Sequence, residues 1–162
     1  MKIFKYLILP LVLLFGIYAL VCAVGPKNLN TERSITVDAP QKMIFNLVND
    51  IQTWEDWSAW HSRDTAMQVS YPGKLVGLGA KSKWVSEQEG SGTQEVIEVV
   101  ANERIRTQLI FDDWDGKTYS NWTFAPEGSK TKVSWGMEGD DMPFLMRGMM
   151  VFMGMKGRLN ND

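Results

Sequence analysis

From Met67 to Glu138 apolar residues recur at nearly every second position, the period a half-buried strand imposes by sending successive side chains to opposite faces. Met67, Val69 and Tyr71 alternate before Pro72-Gly73. Ala80, Ser82 and Trp84 follow a segment punctuated by Gly73, Gly77 and Gly79. After Gly90-Ser91-Gly92 a strand runs through Gln94, Val96, Glu98 and Val100, an alternation that puts Glu98 on the face of Val96. Ile105, Thr107, Leu109 and Phe111 then oppose Arg104, Arg106 and Gln108. Asp115-Gly116 reads as a hairpin turn, after which Thr118, Ser120, Trp122 and Phe124 share one face. A turn at 126–129 leads to Val133, Trp135 and Met137. Consecutive strands joined by short turns predict an antiparallel meander of six strands.

Ahead of the meander, Ile35 and Val37 mark one more half-buried strand. Asp38 and Pro40 open a short helix whose apolar positions are Met43, Ile44, Leu47 and Val48. Ile51, Trp54, Trp57 and Trp60 recur every third residue, as a second short helix or helical turn would place them. The segment from Pro143 to Met155 is apolar nearly all round and rich in methionine, which predicts a closing helix able to meet a variable or lipid-like surface, or a protein partner.

At the other end, residues 6–24 form an uninterrupted apolar run preceded by Lys2 and Lys5. About 20 helical residues cross a hydrocarbon core of about 30 Å, so the run predicts a single transmembrane helix through residues 3–24. The soluble domain is placed outside the cytoplasm on a small bias of basic residues. A cleaved signal peptide has a shorter apolar stretch, and Pro26 would follow the cut badly; lipid attachment at Cys22 has β-branched Val21 before it. The chain divides accordingly into an anchor at 1–26 and a domain at 27–162. With 17 basic and 19 acidic residues of mixed placement, it has no basic field for a nucleic acid. Its single cysteine, Cys22, lies within the apolar run, so the domain has neither disulfide nor thiol chemistry. No spacing of His, Cys and carboxylates suggests a metal, and no cofactor is implied.

The order of strand, two short helices, six-stranded meander and final helix is joined by E-R-S-I-T-V-D-A-P at 32–40, W-x-x-W-S-A-W at 54–60, G-x-G-A at 77–80 and G-D-D-M-P-F at 139–144. Together these resemble the SRPBCC superfamily, the START-like and Bet v 1-like helix-grip group, and within it bacterial polyketide cyclase/dehydrase-like proteins with an N-terminal membrane segment. The resemblance implies an α+β fold in which a curved antiparallel sheet grips a C-terminal helix around an apolar cavity for lipids, sterols, polyketides or similar molecules. The final helix departs from the family pattern by turning polar at Gly157 and stopping at Asp162, which reads as a shortened grip.

The ligand-lining candidates are the apolar stripe Trp84, Leu109, Phe111, Trp122, Phe124 and Trp135, with the hydroxyls of Ser82, Thr107 and Ser120 on the same face. Core packing explains the same stripe, and buried hydroxyls are as readily satisfied by backbone as by a ligand. His61, the sole histidine, reads as a loop residue, and Asp112, Asp113 and Asp115 as a solvated hairpin end. Residues 73–79 lack the order of a phosphate loop and read as a flexible hairpin beside the pocket mouth. The leading expectation is a membrane-anchored module that holds a hydrophobic small molecule or lipid. The alternatives are a cyclase or dehydratase using a pocket acid, with Glu98 ahead of Glu87, and a protein-interaction scaffold contacted through the methionine-rich helix.

Overall fold

The computed structural model describes the backbone of residues 2–141, 143–145, 147–149 and 151–152, and side chains from residue 9 onward apart from 29, 140 and 141. The chain resolves into two compact units, residues 30–140 and residues 1–29 with 141–162.

The larger unit carries the sheet. Seven strands, β1 (Asn28–Val37), β2 (Gln68–Ser70), β3 (Lys81–Val85), β4 (Gly92–Val100), β5 (Arg104–Phe111), β6 (Thr118–Glu127) and β7 (Lys130–Asp141), lie in the order β1-β7-β6-β5-β4-β3-β2. Strands β2 to β7 form the expected meander, each antiparallel to the next. The first strand adds beside β7 as an edge; Val37 packs against the core, while Ile35, expected to be half-buried, is 66% exposed.

One irregularity changes the reading of the fourth strand. Val96 stands opposite Thr107, but the next registered pair is Glu98 with Arg106, so Ile97 is the extra residue of a β-bulge. One inserted residue reverses the facing of everything after it. Val96 is buried, and beyond the bulge Val99 packs against the core, while Glu98 turns to the opposite face and pairs with Arg104. The expectation that Glu98 shares a face with Val96 is corrected by this bulge.

Helix α2 (Gln41–Asn49) begins after Pro40 without the side-chain cap expected of Asp38. It buries Phe45 and Val48 and leaves Met43 and Leu47 exposed, so its core face is turned from the one predicted. Phe45 meets Phe124 edge to face at 5.6 Å, and with Ile51, Ala80, Val96, Ile105 and Val133 they form the core. A 3-10 turn at Ile51–Thr53 then leads into α3 (Trp54–Trp57) and α4 (Ala59–Arg63).

The glycine segment is a buttress rather than a free hairpin. Leu75 O accepts from Ile51 N at 3.0 Å, Gly77 N donates to Asn49 O at 3.2 Å, and Gly79 N donates to Val96 O at 2.8 Å. Gly77 and Gly79 adopt φ of +77° and +81°, which glycine reaches without a Cβ penalty.

In the smaller unit, Lys2–Val24 form helix α1. The expectation that this helix spans a membrane is not supported by the structure: among the described residues no helix is long and apolar enough to cross one. Residues 144–145, 147–149 and 151–152 are helical. Tyr18 donates to Leu145 O at 2.7 Å, and a Cβ on Gly148 would come within 2.6 Å of Cys22 Sγ, so close packing against α1 requires glycine there. The sequence had grouped this terminal segment with the sheet domain at 27–162; these contacts group it with α1. Met142, Met146, Met150, Met153, Met155 and the polar end at 157–162 lie outside the described residues.

A Cβ on Gly92 would strike the Ile110 carbonyl oxygen and stand 2.7 Å from the Trp84 ring. Relief would require parting β4 from β5, so Gly92→Ala is expected to destabilise by about 1–3 kcal/mol, as overpacking does. A fall in the urea midpoint followed by tryptophan fluorescence measures it.

Candidate functional site

Between the segment 51–63 and the face of the sheet carrying Trp84, Leu109 and Trp122 lies a cavity of about 330 Å³. Sheet alternation supplies one wall. Ser82 and Trp84 come from β3, Gln94 from β4, Leu109 and Phe111 from β5, Ser120 and Trp122 from β6, and Trp135 and Met137 from β7. Met67, Val69 and Tyr71, the period-two residues at the start of the meander, continue that wall. The helical segment contributes Trp54, Glu55, Trp57, Trp60 and His61.

The aromatic rings hold one another apart as well as together. Trp122 lies 5.8 Å from both Trp54 and Trp57, and 6.0 Å from Trp135. Trp84 meets Phe111 edge to face at 5.5 Å. Such tilted and edge-on contacts suit the aromatic quadrupole. Two indole N–H groups are spent away from the cavity, Trp54 Nε1 donating to Val48 O of α2 at 2.9 Å and Trp57 Nε1 to Thr53 Oγ1 at 3.3 Å. Trp122 Nε1 is buried and has no hydrogen-bond partner among the described residues.

Polar groups enter the wall at separate places. Gln94 Nε2 donates to Thr107 Oγ1 at 3.2 Å, and Thr107 Oγ1 lies 2.7 Å from Ser120 Oγ, so a short relay runs behind the wall to a hydroxyl on it. Tyr71 Oη donates to the Glu55 carboxylate. Burial, first, and then that bond and the neighbouring charges of Glu55, Asp50 and Asp56 push the Tyr71 phenol well above its ordinary range, so it remains a neutral donor at physiological pH. Glu89, on the turn after β3, faces the cavity and pairs with Arg63 at 3.8 Å; the Arg63 guanidinium lies 4.4 Å over the Trp60 ring.

Of the residues nominated from sequence, Trp84, Leu109, Phe111, Ser120, Trp122, Trp135 and Ser82 are placed on the cavity wall. Phe124 sits in the core against Phe45, and Thr107 is buried behind Ser120. Glu98 lies on the opposite face, ion-paired with Arg104, and Glu87 is exposed on the turn after β3. None of residues 73–79 reaches the cavity. Glu55, Tyr71, Glu89 and Gln94 were not nominated, and His61, read as a loop residue, is on α4 and on the wall. Tyr71 had a usable signal, since it continues the alternation of Met67 and Val69. Glu55 had only its position between two tryptophans. Among the described residues no group of three or more His, Cys, Asp or Glu is placed to hold a metal.

Residues 29–159 match the family described as polyketide cyclase / dehydrase and lipid transport. Among solved structures, the chain is similar to protein CV1439 from Chromobacterium violaceum, 18% identical over 77% of this chain and 93% of that one, with a TM-score of 0.54. It is similar to a norcoclaurine synthase point mutant from Thalictrum flavum in complex with a transition-state analogue, at 15% identity, 73% and 79% coverage and a TM-score of 0.58. An HSP90 activator from Plasmodium falciparum is also similar, at 19% identity, 71% and 74% coverage and a TM-score of 0.50. At these identities the likeness is one of fold. No curated protein matches the sequence.

The end of the helical segment is fixed by a buried carboxylate. Asp64 is 3% exposed; its Oδ1 accepts from Ala66 N at 2.9 Å and its Oδ2 from Ser86 Oγ at 2.6 Å. Ser86 Oγ in turn accepts from Glu89 N at 2.8 Å, tying the latch to the turn that carries Glu89. Asp64→Ala leaves those donors unpaired, which costs about 1–3 kcal/mol. Amide exchange in residues 59–66 is expected to accelerate roughly tenfold or more, read by hydrogen–deuterium exchange.

Proposed function

Because the chain belongs to the polyketide cyclase / dehydrase and lipid transport family, within the SRPBCC superfamily, we propose that it is a membrane-held binding module whose cavity takes up a hydrophobic small molecule or a lipid. The cavity carries this reading. Its volume lies within the range of about 300–1,000 Å³ that small-molecule sites occupy, and its wall is mostly indole, phenyl and aliphatic surface with a few hydroxyl, amide and carboxylate groups. A close-packed core would fill such a space.

Membrane attachment through α1, with the domain at 27–162 on the non-cytoplasmic side, is part of the same proposal. It is supported by the apolar run at 6–24 and by side chains such as Leu9, Leu13, Phe15 and Val24, each more than 60% exposed in the protein alone. Apolar surface of that extent calls for lipid or protein cover. A second reading, a cyclase or dehydratase acting on a hydrophobic substrate, is favoured by one observation: the Tyr71–Glu55 pair and His61 face the same cavity. A protein partner at the closing helix is the third.

Native mass spectrometry of the full chain purified in non-ionic detergent, with organic extraction, is expected to find a bound apolar compound. The neutral dye N-phenyl-1-naphthylamine should bind one to one, and Ser82→Phe, which projects a ring into the cavity, should weaken it at least tenfold. Unchanged dye affinity would place the bound dye elsewhere and remove the support for this reading.

Attachment is tested separately. Leu13→Arg puts a charge near the middle of the apolar run at a cost of about 2.5–3.5 kcal/mol. The variant should shift from the membrane pellet toward the soluble fraction on alkaline carbonate extraction, whereas wild type stays in the pellet.

A further inference from the structure

We infer that the cavity selects a ligand with a positively charged amine or ammonium group, held by the Glu55 carboxylate and the surrounding indoles. This rests on the reading of the cavity as a ligand site and names the chemistry of its occupant.

Three features of the wall carry it. First, its charge is one-sided: Glu55 and Glu89 line the cavity, and among the described residues no lysine or arginine does, although Arg63 beside it pairs with Glu89. A fatty acid, an acidic lipid or an enolate would bring its negative charge toward Glu55, a solvent-reached carboxylate that disfavours it. Second, Glu55 has no cationic partner among the described ion pairs; its bond is to the Tyr71 hydroxyl, a neutral donor. Glu89 by contrast already pairs with Arg63. Third, six tryptophans, 54, 57, 60, 84, 122 and 135, face one space. The indole face attracts cations more strongly than the other aromatic rings do.

The chain itself displays this chemistry at the same site. Arg63 lies over Trp60 and reaches Glu89, so one cation is already held by an indole and a cavity carboxylate together. Glu55 lines the same cavity as these tryptophans, and among the described ion pairs its carboxylate holds no cation. An apolar body fits against Leu109, Phe111 and Trp84. Ligand charge then decides between compounds of equal shape.

The test uses the full chain in non-ionic detergent and three probes of one shape at pH 7: 2-(2-naphthyl)ethylamine, 2-(2-naphthyl)ethanol and 2-naphthylacetate, titrated by calorimetry. The amine is expected to bind about tenfold tighter than the alcohol, and the carboxylate weakest. Glu55→Gln should reduce the amine-to-alcohol ratio at least fivefold, whereas Glu95→Gln, which removes a carboxylate paired with Lys81 outside the cavity, should leave the ratio unchanged. Partition into micelles cancels when the ratio is compared between variants at one detergent concentration, and the wild-type affinities are read from free probe concentrations corrected for each probe's measured partition. Should Glu55→Gln fail to fold, Tyr71→Phe keeps the carboxylate and removes its phenol donor; the ratio is then expected to hold or rise.

Equal binding of amine and alcohol, tightest binding of the carboxylate, or a ratio unaltered by Glu55→Gln would each overturn the inference while leaving the cavity a ligand site. A ratio that falls in Tyr71→Phe would overturn it as well, by assigning selectivity to the phenol. Binding of none of the three would remove the ligand-site reading and this inference together.

Discussion

The cavity depends on a clamp. A stretch of chain too short to be stable as helix by itself stands over the sheet because both of its ends are tied down. At its start, backbone bonds from Ile51 and Asn49 to the glycine segment join it to the connection between β2 and β3. At its finish, Asp64 binds Ser86 on the turn after β3. Both ties reach the β2–β3 side of the sheet, and from the held segment Trp54 and Trp57 meet Trp122 of β6. Space of about 330 Å³ is left between the two walls.

The alternation of the strands makes most of one wall legible in the amino-acid sequence. A period of two specifies which residues share a face, and for β3, β5, β6 and β7 no inserted residue disturbs it, so Ser82, Trp84, Leu109, Phe111, Ser120, Trp122 and Trp135 come to the same side. It did not specify depth along the strand. Phe124 and Thr107 have the right parity but sit where α2 and the strand neighbours fill the space. The bulge at Ile97 defeated the parity argument for Glu98, because nothing local in Val96-Ile97-Glu98 distinguishes a regular pair of residues from a doubled one. The other wall was harder to read. Triplet spacing announced a helical turn with the tryptophans together, but not that Glu55 and His61 would join them, since two turns separated at Ser58 do not keep one continuous face.

Position within the fold separates the carboxylates that balance the charge of the sheet from those that face the cavity. Glu95 and Glu98 each pair with a lysine or arginine on the adjacent strand, and Glu138 on β7 reaches past β6 to Arg106 on β5. Such exposed pairs contribute little to stability, and they satisfy the charge where it stands. Glu55 has a phenol instead. A tyrosine held above its ordinary titration range is a donor without a charge, so the carboxylate it binds, on a cavity lined by six tryptophans, has no cationic partner among the described ion pairs.

That residual charge bears on binding and on chemistry in opposite ways. A carboxylate acting as a general base must take a proton from a bound molecule at hydrogen-bond distance, and its bond to Tyr71 competes for the lone pairs that would do so. The same bond costs nothing to a cation, which interacts with the whole carboxylate and with the surrounding indole faces without displacing the phenol. Under the proposed reading, the aromatic surface supplies attraction that needs no proton transfer, and the Glu55 carboxylate gives that attraction a sign.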